Sequence, residues 1–165
     1  MKRRPIRGRP EAGHGIVLVG LLIVMAFSAA LAMSAAEVWA TSRQRERELE
    51  LLFVGDQYRQ AIRRYYFAVP KAQARVLPAR LEDLLLDERF PVPVRHLRRL
   101  YPDPITGSTE WGLAMRGERI VGVHSLSPAT PIKQAGFGHA NAVFEARSAY
   151  REWVFLFVPP AAAQR

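Results

Sequence analysis

The chain has 165 residues, enough for one compact domain, and its formal net charge is +9. Five basic residues and one acid precede residue 15, so residues 16–165 carry 19 Lys and Arg against 14 Asp and Glu, a net charge of +5. The basic composition by itself is therefore no evidence for a nucleic-acid-binding protein. The sequence contains no cysteine, and cysteine use leaves the redox compartment undecided.

A long apolar stretch follows the basic amino terminus. Residues 16–36 include no charge and no proline, and Ser28 and Ser34 are the only polar side chains among these 21 residues. At about 1.5 Å per residue, a helix of this length covers roughly 30 Å, the thickness of the hydrocarbon core of a bilayer. Because Lys and Arg stay on the cytoplasmic side of a first span, we expect a single-pass membrane protein with a cytoplasmic amino terminus.

Three interpretations of this stretch stay open. A cleaved secretory signal needs an apolar run of about 7–15 residues and a small-residue cleavage site, for which residues 30–32 and 34–36 are candidates. The run is longer here, and no helix breaker precedes either site. A plain single-pass anchor fits the length and the flanking charges. The third interpretation depends on the positions of the glycines, Gly15 and Gly20.

One helix is predicted over residues 16–66, since no glycine or proline directly follows the apolar stretch. Its section 42–50 has almost no apolar residue, and we expect exposed ion pairs at i,i+3 spacing: Arg43 with Glu46, Arg45 with Glu48, and Arg47 with Glu50. From residue 51, apolar side chains recur at spacings of three and four. This pattern predicts a stripe that packs against a sheet, made of Leu51, Val54, Tyr58, Ala61, Ile62 and Tyr65.

Pro70 is expected to end the long helix, because the residue before a proline disfavours the α region. A short helix is predicted over residues 78–88, where Pro78 suits a first helical position, and an exposed basic turn of helix over residues 95–99. The four histidines share no metal-ligand spacing, and we expect each of them at the surface or in a turn: His14, His96, His124 and His139.

The remainder is predicted to be a loop followed by strands. In residues 101–109, two prolines fix φ, Asp103 can hydrogen-bond nearby backbone, and Gly107 allows a positive φ. Strands are expected over residues 110–115, 119–126 and 153–158. The predicted fold class is therefore α+β, with a long N-terminal helix, first hydrophobic and then amphipathic, that packs on a small antiparallel β-sheet.

Several blocks occur in a distinctive order. Gly15 is followed by IVLVGLL over residues 16–22, and further blocks are ELELLFVG (48–55), LYPDPITGS (100–108), EWGL (110–113) and IVGVHSLS (120–127). In these blocks, spread over roughly three quarters of the chain, the sequence resembles the type IV pilin-like proteins, and among them the pseudopilins of type II secretion. Two positions differ from the usual pattern, since Ile16 replaces a Phe and Gly20 replaces a Glu.

The resemblance implies a fold, a processing step and partners. Residues 1–15 would be a prepilin leader, residues 16–36 the transmembrane half of the long helix, and residues 37–165 a periplasmic pilin-like domain in which the helix runs to residue 67 and residues 68–165 form an α+β head. A prepilin peptidase would cut between Gly15 and Ile16, whose new amino group is usually N-methylated in the family. The protein would reside in a bacterial inner membrane.

Assembly is also implied by the resemblance. Subunits would pack through their apolar helices, with Gly20, Leu21 and Leu22 at the contact, and the partners would be other pseudopilins and an inner-membrane assembly platform. In the family a buried Glu pairs with the terminal amine of a neighbour, because a lone charge in hydrocarbon is costly. Gly20 cannot form that pair, so we expect either a minor subunit or docking through small-residue contacts.

Candidate chemistry is sparse. No nucleophile elbow, P-loop or dinucleotide fingerprint is present, and we expect a protein that is not an enzyme and has no cofactor. Asp103, Thr106 and Glu110 are weak candidates for a calcium site of the kind that some major pseudopilins have, although their spacing is unlike that of an EF-hand. Two alternative functions stay open: a generic membrane-anchored periplasmic domain, and a DNA-binding minor pilin. Nucleic acid is not the expected partner, because its phosphates would need the arginines at 63, 64, 95, 98 and 99 on one face.

Overall fold

A computed structural model of the chain describes the backbone of residues 12–70 and 74–160, and the side chains of residues 15–29, 37–70 and 74–160. Helix α1 comprises the 56 residues Ala12–Phe67. It contributes to two units, Met1–Ser42 and Arg43–Arg165. The helix predicted over residues 16–66 is present. It begins four residues earlier, at Ala12, and ends one residue later, at Phe67. Residues 1–11 of the predicted leader lie outside the described residues.

A three-stranded antiparallel sheet forms the β part of the second unit. Strands β1 (Gly112–Arg116), β2 (Arg119–His124) and β3 (Phe155–Leu156) are adjacent in the order β1-β2-β3. Strands β1 and β2 form a hairpin in which Gly117 has a φ of 62°. Strands β2 and β3 lie within the predicted ranges, β1 ends one residue beyond its range, and each strand is shorter than predicted. The α+β class is confirmed.

The short elements before the sheet differ from the prediction. Only Leu81–Leu84 is helical, as a 3-10 helix, instead of residues 78–88. The chain turns back there: the carbonyl of Leu84 accepts hydrogen bonds from the backbone N–H groups of His96 and Leu97, and Asp87 N–H bonds to the carbonyl of Val94. This pairing also replaces the basic turn of helix predicted over residues 95–99. Two further 3-10 helices are His139–Phe144 and Tyr150–Glu152.

The predicted apolar stripe of α1 forms one side of the core. All six of its residues are at most 5% exposed. They pack in one cluster with buried side chains from the sheet and its flanking loops, namely Trp111, Ile120, Val123, Phe144, Tyr150, Trp153 and Phe155. Gly55 permits the closest approach, since a Cβ at this position would overlap the ring of Phe155. The prediction that this stripe packs on a sheet is confirmed.

The charged section before the stripe is largely exposed, as predicted, but its predicted ion pairs are wrong. In the described residues 42–50, none of the three expected i,i+3 ion pairs forms. Glu48, expected to be exposed beside Arg45, is instead 3% exposed. The reason is that a distant loop covers this side of α1 and supplies hydrogen-bond donors to the Glu48 carboxylate.

Candidate functional site

The residues on both sides of the predicted cleavage bond are helical and open to solvent. Gly15 and Ile16 lie in the first turns of α1, and Ile16 is 77% exposed. A Cβ built on Gly15 would meet no atom within 4 Å. Within the described residues, tertiary packing does not cover this bond.

The predicted assembly residues belong to an exposed apolar surface. Leu21 and Leu22 are each more than half exposed, and a Cβ at Gly20 would meet nothing within 4 Å. The other large apolar side chains of this surface are exposed to a similar degree: Ile16, Val17, Leu18, Val19, Ile23, Val24, Met25 and Phe27. The predicted span also includes residues 30–36, whose side chains lie outside the described ones. No helix in the described part of the chain is long and apolar enough to cross a membrane.

The calcium candidates are positioned by a tight loop. Asp103 is fully buried, and its backbone N–H and carbonyl bond to Ser108 and Gly107. Its carboxylate accepts hydrogen bonds from Ile105 N–H at 2.9 Å, Thr106 Oγ1 at 3.0 Å and Ser125 Oγ at 2.6 Å. Both carboxylate oxygens are therefore already occupied by protein donors.

These residues do not fit a calcium site. Calcium needs six to eight oxygen ligands around one point. Asp103 and Thr106 bond to each other, whereas the side chain of Glu110 is exposed. Within the described residues, no three His, Asp or Glu side chains are grouped so that they could hold a metal ion. The role of Asp103 is to fix the loop, as the sequence predicts.

Tyr58 on α1 holds the start of the same loop. Its hydroxyl donates to the carbonyl of Tyr101 at 3.0 Å and accepts from the Tyr101 N–H at 2.9 Å. The indole N–H of Trp111 donates to the same carbonyl at 2.8 Å. Burial raises the pKa of Tyr58 to about 12, because the tyrosinate would lose its hydration. The loop is thus attached to the last quarter of α1, which ends at Phe67.

A second attachment between a loop and α1 lies closer to the amino terminus of the helix, at Glu48. The Glu48 carboxylate accepts from Ile132 N–H at 2.5 Å, from Lys133 N–H at 3.2 Å and from the Tyr150 hydroxyl at 2.7 Å. The side-chain amide of Gln44 donates to Tyr150 and to the carbonyl of Thr130. Burial raises the pKa of Tyr150 to about 12, with a further contribution from Glu48. Sequence reasoning missed this site because its partners lie more than 80 residues away.

The end of α1 is held by a buried charged network. Asp87 is 1% exposed and lies 2.6 Å from Arg89 Nη2 and 3.0 Å from His96 Nε2. His96 was expected at the surface and is instead buried by this pairing. Burial alone would raise the pKa of Asp87, but the hydrogen bonds from Arg89 and His96 outweigh it and lower the pKa.

Arg89 also caps the helix. Its Nη2 donates to the carbonyls of Tyr65 at 2.8 Å and Ala68 at 3.1 Å, and its guanidinium lies 3.7 Å from the centre of the Tyr65 ring. The last carbonyls of a helix lack partners within the helix and favour a cation. A largely covered cation at this end therefore stabilises both the helix terminus and the turn around Asp87.

Arginines gather on the outer side of the same helix end. A pocket of about 700 Å³ is lined by Arg64, Arg95 and Arg98 together with Gln57, His96, Leu97 and Tyr101. A second pocket, of about 770 Å³, is lined by Arg59, Arg63 and Arg64 together with Asp56, Gln60, Phe67, Ala140, Phe157 and Pro160. Arg64 lines both pockets, so they adjoin. The structure thus brings together four of the five arginines considered from the sequence, and Arg99 instead lies over the Tyr101 ring.

No family model, curated protein or solved structure matches this chain. The function must therefore be argued from the structure of this chain itself, and three of its features bear on it. They are the exposed apolar surface of α1, the attachment of the head loops to that helix, and the arginine pockets.

Proposed function

We propose that this chain is a pseudopilin-like structural subunit of a type II secretion or type IV pilus-like filament. A prepilin peptidase removes residues 1–15, and residues 16–36 then anchor the subunit in a bacterial inner membrane and join it to its neighbours. The head, residues 68–165, lies in the periplasm. The partners are the peptidase, other pseudopilins and the assembly platform of the inner membrane.

The exposed apolar surface between Ile16 and Phe27 carries this proposal. Ten large apolar side chains there are each more than half exposed. Soluble proteins rarely expose a contiguous apolar surface of this kind, and one that is exposed commonly marks a contact with protein or lipid. Burial stabilises by about 25 cal/mol per Å² of apolar area, so packing these side chains against lipid or neighbouring helices is strongly favourable.

The head is attached to α1 at several points, as expected for a subunit that is added to a filament as one rigid body. Its loops are attached to α1 at Glu48, at Tyr58 and at the Arg89 network. A force on the helix within this unit is therefore transmitted to the sheet through buried hydrogen bonds as well as through the core. The proposal needs such coupling, because a filament grows by displacing whole subunits.

The amino terminus of the mature protein tests the proposal directly. The full chain is expressed with a prepilin peptidase and its mass is measured after extraction from membranes. We expect a product that begins at Ile16. Gly15→Val should block the cut because a branched side chain replaces hydrogen beside the scissile bond, whereas Gly13→Val, the same change two residues upstream, should be cut normally.

Two other results would overturn the proposal. An intact amino terminus in the presence of active peptidase would favour a generic anchor. A product that begins after residue 32 or residue 36 and is free in solution would indicate a secretory signal. Neither result is compatible with processing beside Gly15.

The position of Gly20 predicts how the subunit docks. Gly20→Glu would restore the carboxylate that most of the family has there. We expect this variant to change the number of subunits found in filaments, since the side chain would add a charge to a contact that small residues otherwise form. Gly20→Ala is the size control. Unchanged incorporation of Gly20→Glu would count against a special position for this subunit.

A further inference from the structure

Strand β1 lies at an edge of the sheet. The strand order places it beside β2 alone, and within residues 12–70 and 74–160 no backbone–backbone hydrogen bond joins it to any other segment. A free edge presents a row of N–H and C=O groups that can pair with another strand, and native proteins usually blunt such an edge with lysine, proline or a bulge. Residues 110–116 include neither lysine nor proline. The edge is therefore open to pairing.

The irregularity of the hairpin leaves β1 itself regular. The register shifts between Ala114 and Met115, and the extra residue that stays unpaired is Val121 of β2. The two residues that flank the two-residue turn of a hairpin exchange backbone hydrogen bonds, and bonded and non-bonded pairs alternate from there. In β1 this alternation directs the backbone groups of Leu113 and Met115 away from β2. A second strand can therefore bond to them.

The side chains of this edge combine apolar groups with opposite charges at its two ends. Leu113 is 43% exposed and Met115 is 48% exposed. Glu110 precedes the strand and Arg116 ends it, and both side chains are exposed. Among the described residues, neither of these two charges takes part in an ion pair. Any strand that pairs with β1 thus meets a negative end, an apolar middle and a positive end.

The spacing of the charges makes the edge complementary to a copy of itself. Glu110 and Arg116 are each three residues from Leu113, so an antiparallel pair centred on Leu113 places each acid opposite the arginine of the other copy. The outward backbone groups of the two strands also meet in this register. A pair centred on Ala114 would instead place Glu110 opposite Glu118, and like charges directly opposite each other are destabilising.

We propose that two copies of this chain associate through β1, in the register centred on Leu113, so that their sheets become one continuous antiparallel sheet. The Leu113 N–H of each copy donates to the Leu113 carbonyl of the other, and a Glu110–Arg116 ion pair forms at each end. Such a contact has two-fold symmetry and closes on itself, whereas a filament needs a contact that repeats. The proposal therefore does not depend on the filament role.

Disulfide mapping tests the register, because the chain has no cysteine of its own. The full chain in a neutral detergent carries one introduced cysteine and is oxidised mildly. In Leu113→Cys the two thiols face each other across the two-fold axis, where the Cα atoms of a bonded pair are about 5.5 Å apart, a separation that a disulfide spans. Met115→Cys, similarly exposed on the same strand, is the matched control, since its two copies would be more than about 13 Å apart. We expect a covalent dimer for the first variant alone.

Charge exchange tests the same contact by a second route. In the Leu113→Cys background, Glu110→Arg or Arg116→Glu alone places like charges opposite each other, and the disulfide yield should fall by about threefold or more. A mixture of these two variants restores opposite charges at both ends, so its yield should return to that of Leu113→Cys. Arg151→Glu changes an exposed arginine outside the strands by the same charge and should leave the yield unchanged.

A further pair of variants leaves the apolar residues intact. Glu110→Cys and Arg116→Cys change exposed positions only. In the proposed register residue 110 of one copy lies opposite residue 116 of the other. A mixture of the two variants should therefore form a mixed disulfide, and neither variant should form a dimer by itself.

Three results would overturn the proposal. The cysteine variants at 110, 113 and 116 all stay monomeric under oxidation, which would leave the edge to a strand of a different protein; or Leu113→Cys and Met115→Cys form dimers equally, which would indicate contact through the apolar helix alone; or the mixed charge variants give no more disulfide than either does by itself. Processing beside Gly15 is read by mass, so a failure here and a failure of the proposed filament role are distinguishable.

Discussion

The carboxylate of Glu48 accepts a 2.7 Å hydrogen bond from the hydroxyl of Tyr150, which lies 102 residues further along the chain. The same carboxylate receives two backbone N–H groups of the loop that precedes Tyr150. One side chain of α1 thus satisfies three buried or partly buried donors. The helix and the loop hold each other through this group.

Removal of that carboxylate should destabilise the head. Glu48→Ala leaves the donors of Ile132, Lys133 and Tyr150 without their acceptor, and we expect a loss of about 3 kcal/mol in the free energy of unfolding. Glu48→Gln keeps one acceptor oxygen and should lose less. Glu50→Ala, an exposed position on the same helix, should change stability by less than about 0.5 kcal/mol. Urea denaturation of the three variants gives the values; equal effects at positions 48 and 50 would contradict this role.

Local patterns were sufficient for the helix and the strands. The stripe from Leu51 to Tyr65 was predicted correctly because its spacing reports directly which side of a helix is apolar. The strand pattern around Gly117 was informative for the same reason, since a short turn places the two strands side by side. In both cases the relevant partners are close in sequence or lie on one face.

Partners that are distant in sequence account for the errors. Arg45 and Glu48 have a spacing that suits an ion pair, but Glu48 bonds instead to residues 132, 133 and 150, which no spacing rule connects to it. His96 was assigned to the surface because no metal ligand is near it in sequence. Its partner Asp87 comes close only because the chain turns back after Leu84.

The candidate site was predictable in residue type and not in arrangement. The sequence identifies the arginines, but whether Arg64 and Arg95 share a pocket depends on the turn that follows residue 84. The weak calcium site fails for a similar reason. Asp103 receives a hydroxyl from Ser125, a residue on the far side of the hairpin, and that donor occupies the oxygen that a cation would need.

Alkaline pH should weaken the fold through Tyr58. Its pKa is about 12 when folded and 10.0 ordinarily, so the unfolded chain loses this proton first as pH rises. The stabilisation is complete below pH 10 and is lost as pH rises through 12, with a slope of about 1.4 kcal/mol per pH unit. Tyr150, also raised to about 12, acts in the same direction.

Tyr58→Phe isolates that contribution. The variant lacks the titrating group, so its free energy of unfolding should fall less steeply between pH 10 and pH 12 than that of the unchanged protein, by about 1.4 kcal/mol per pH unit. It should also be less stable at neutral pH, because the two hydrogen bonds to Tyr101 are lost. Tyr66→Phe, at a tyrosine on the same helix, is the control. Parallel pH profiles for Tyr58→Phe and the unchanged protein would contradict the assignment.

The Arg89 network should be sensitive to both substitution and acid. Arg89→Ala leaves Asp87 buried without its main partner and removes the cap from Tyr65 and Ala68, and we expect a loss of about 3–5 kcal/mol. Because the pKa of Asp87 is lowered on folding, its contribution is present above the ordinary value of 3.8 and is lost as pH falls through the folded value.

Arg80→Ala is the control for this network. Arg80 also lies near an aspartate, at 3.7 Å from Asp83, but its side chain is 77% exposed. Exposed pairs contribute about 0–1 kcal/mol, so this variant should unfold nearly as the unchanged protein does. Thermal and urea unfolding of both variants at neutral and acidic pH compares them. A loss at Arg89 no larger than that at Arg80 would show that the buried pair does not support the helix end.

Replacing Gly55 with alanine should not increase the stability of the protein, although alanine usually stabilises a helix relative to glycine. Ala is favoured over Gly by about 1 kcal/mol in a helix interior. At this position its Cβ would overlap the ring of Phe155, and that ring is fully buried and packed edge to face on Phe144, 5.0 Å between ring centres. We expect Gly55→Ala to destabilise the protein by about 1–3 kcal/mol, the usual cost of overpacking. Adding Phe155→Leu should make the alanine less harmful than it is alone, and a simple sum of the two losses in urea denaturation would rule out this contact as the cause.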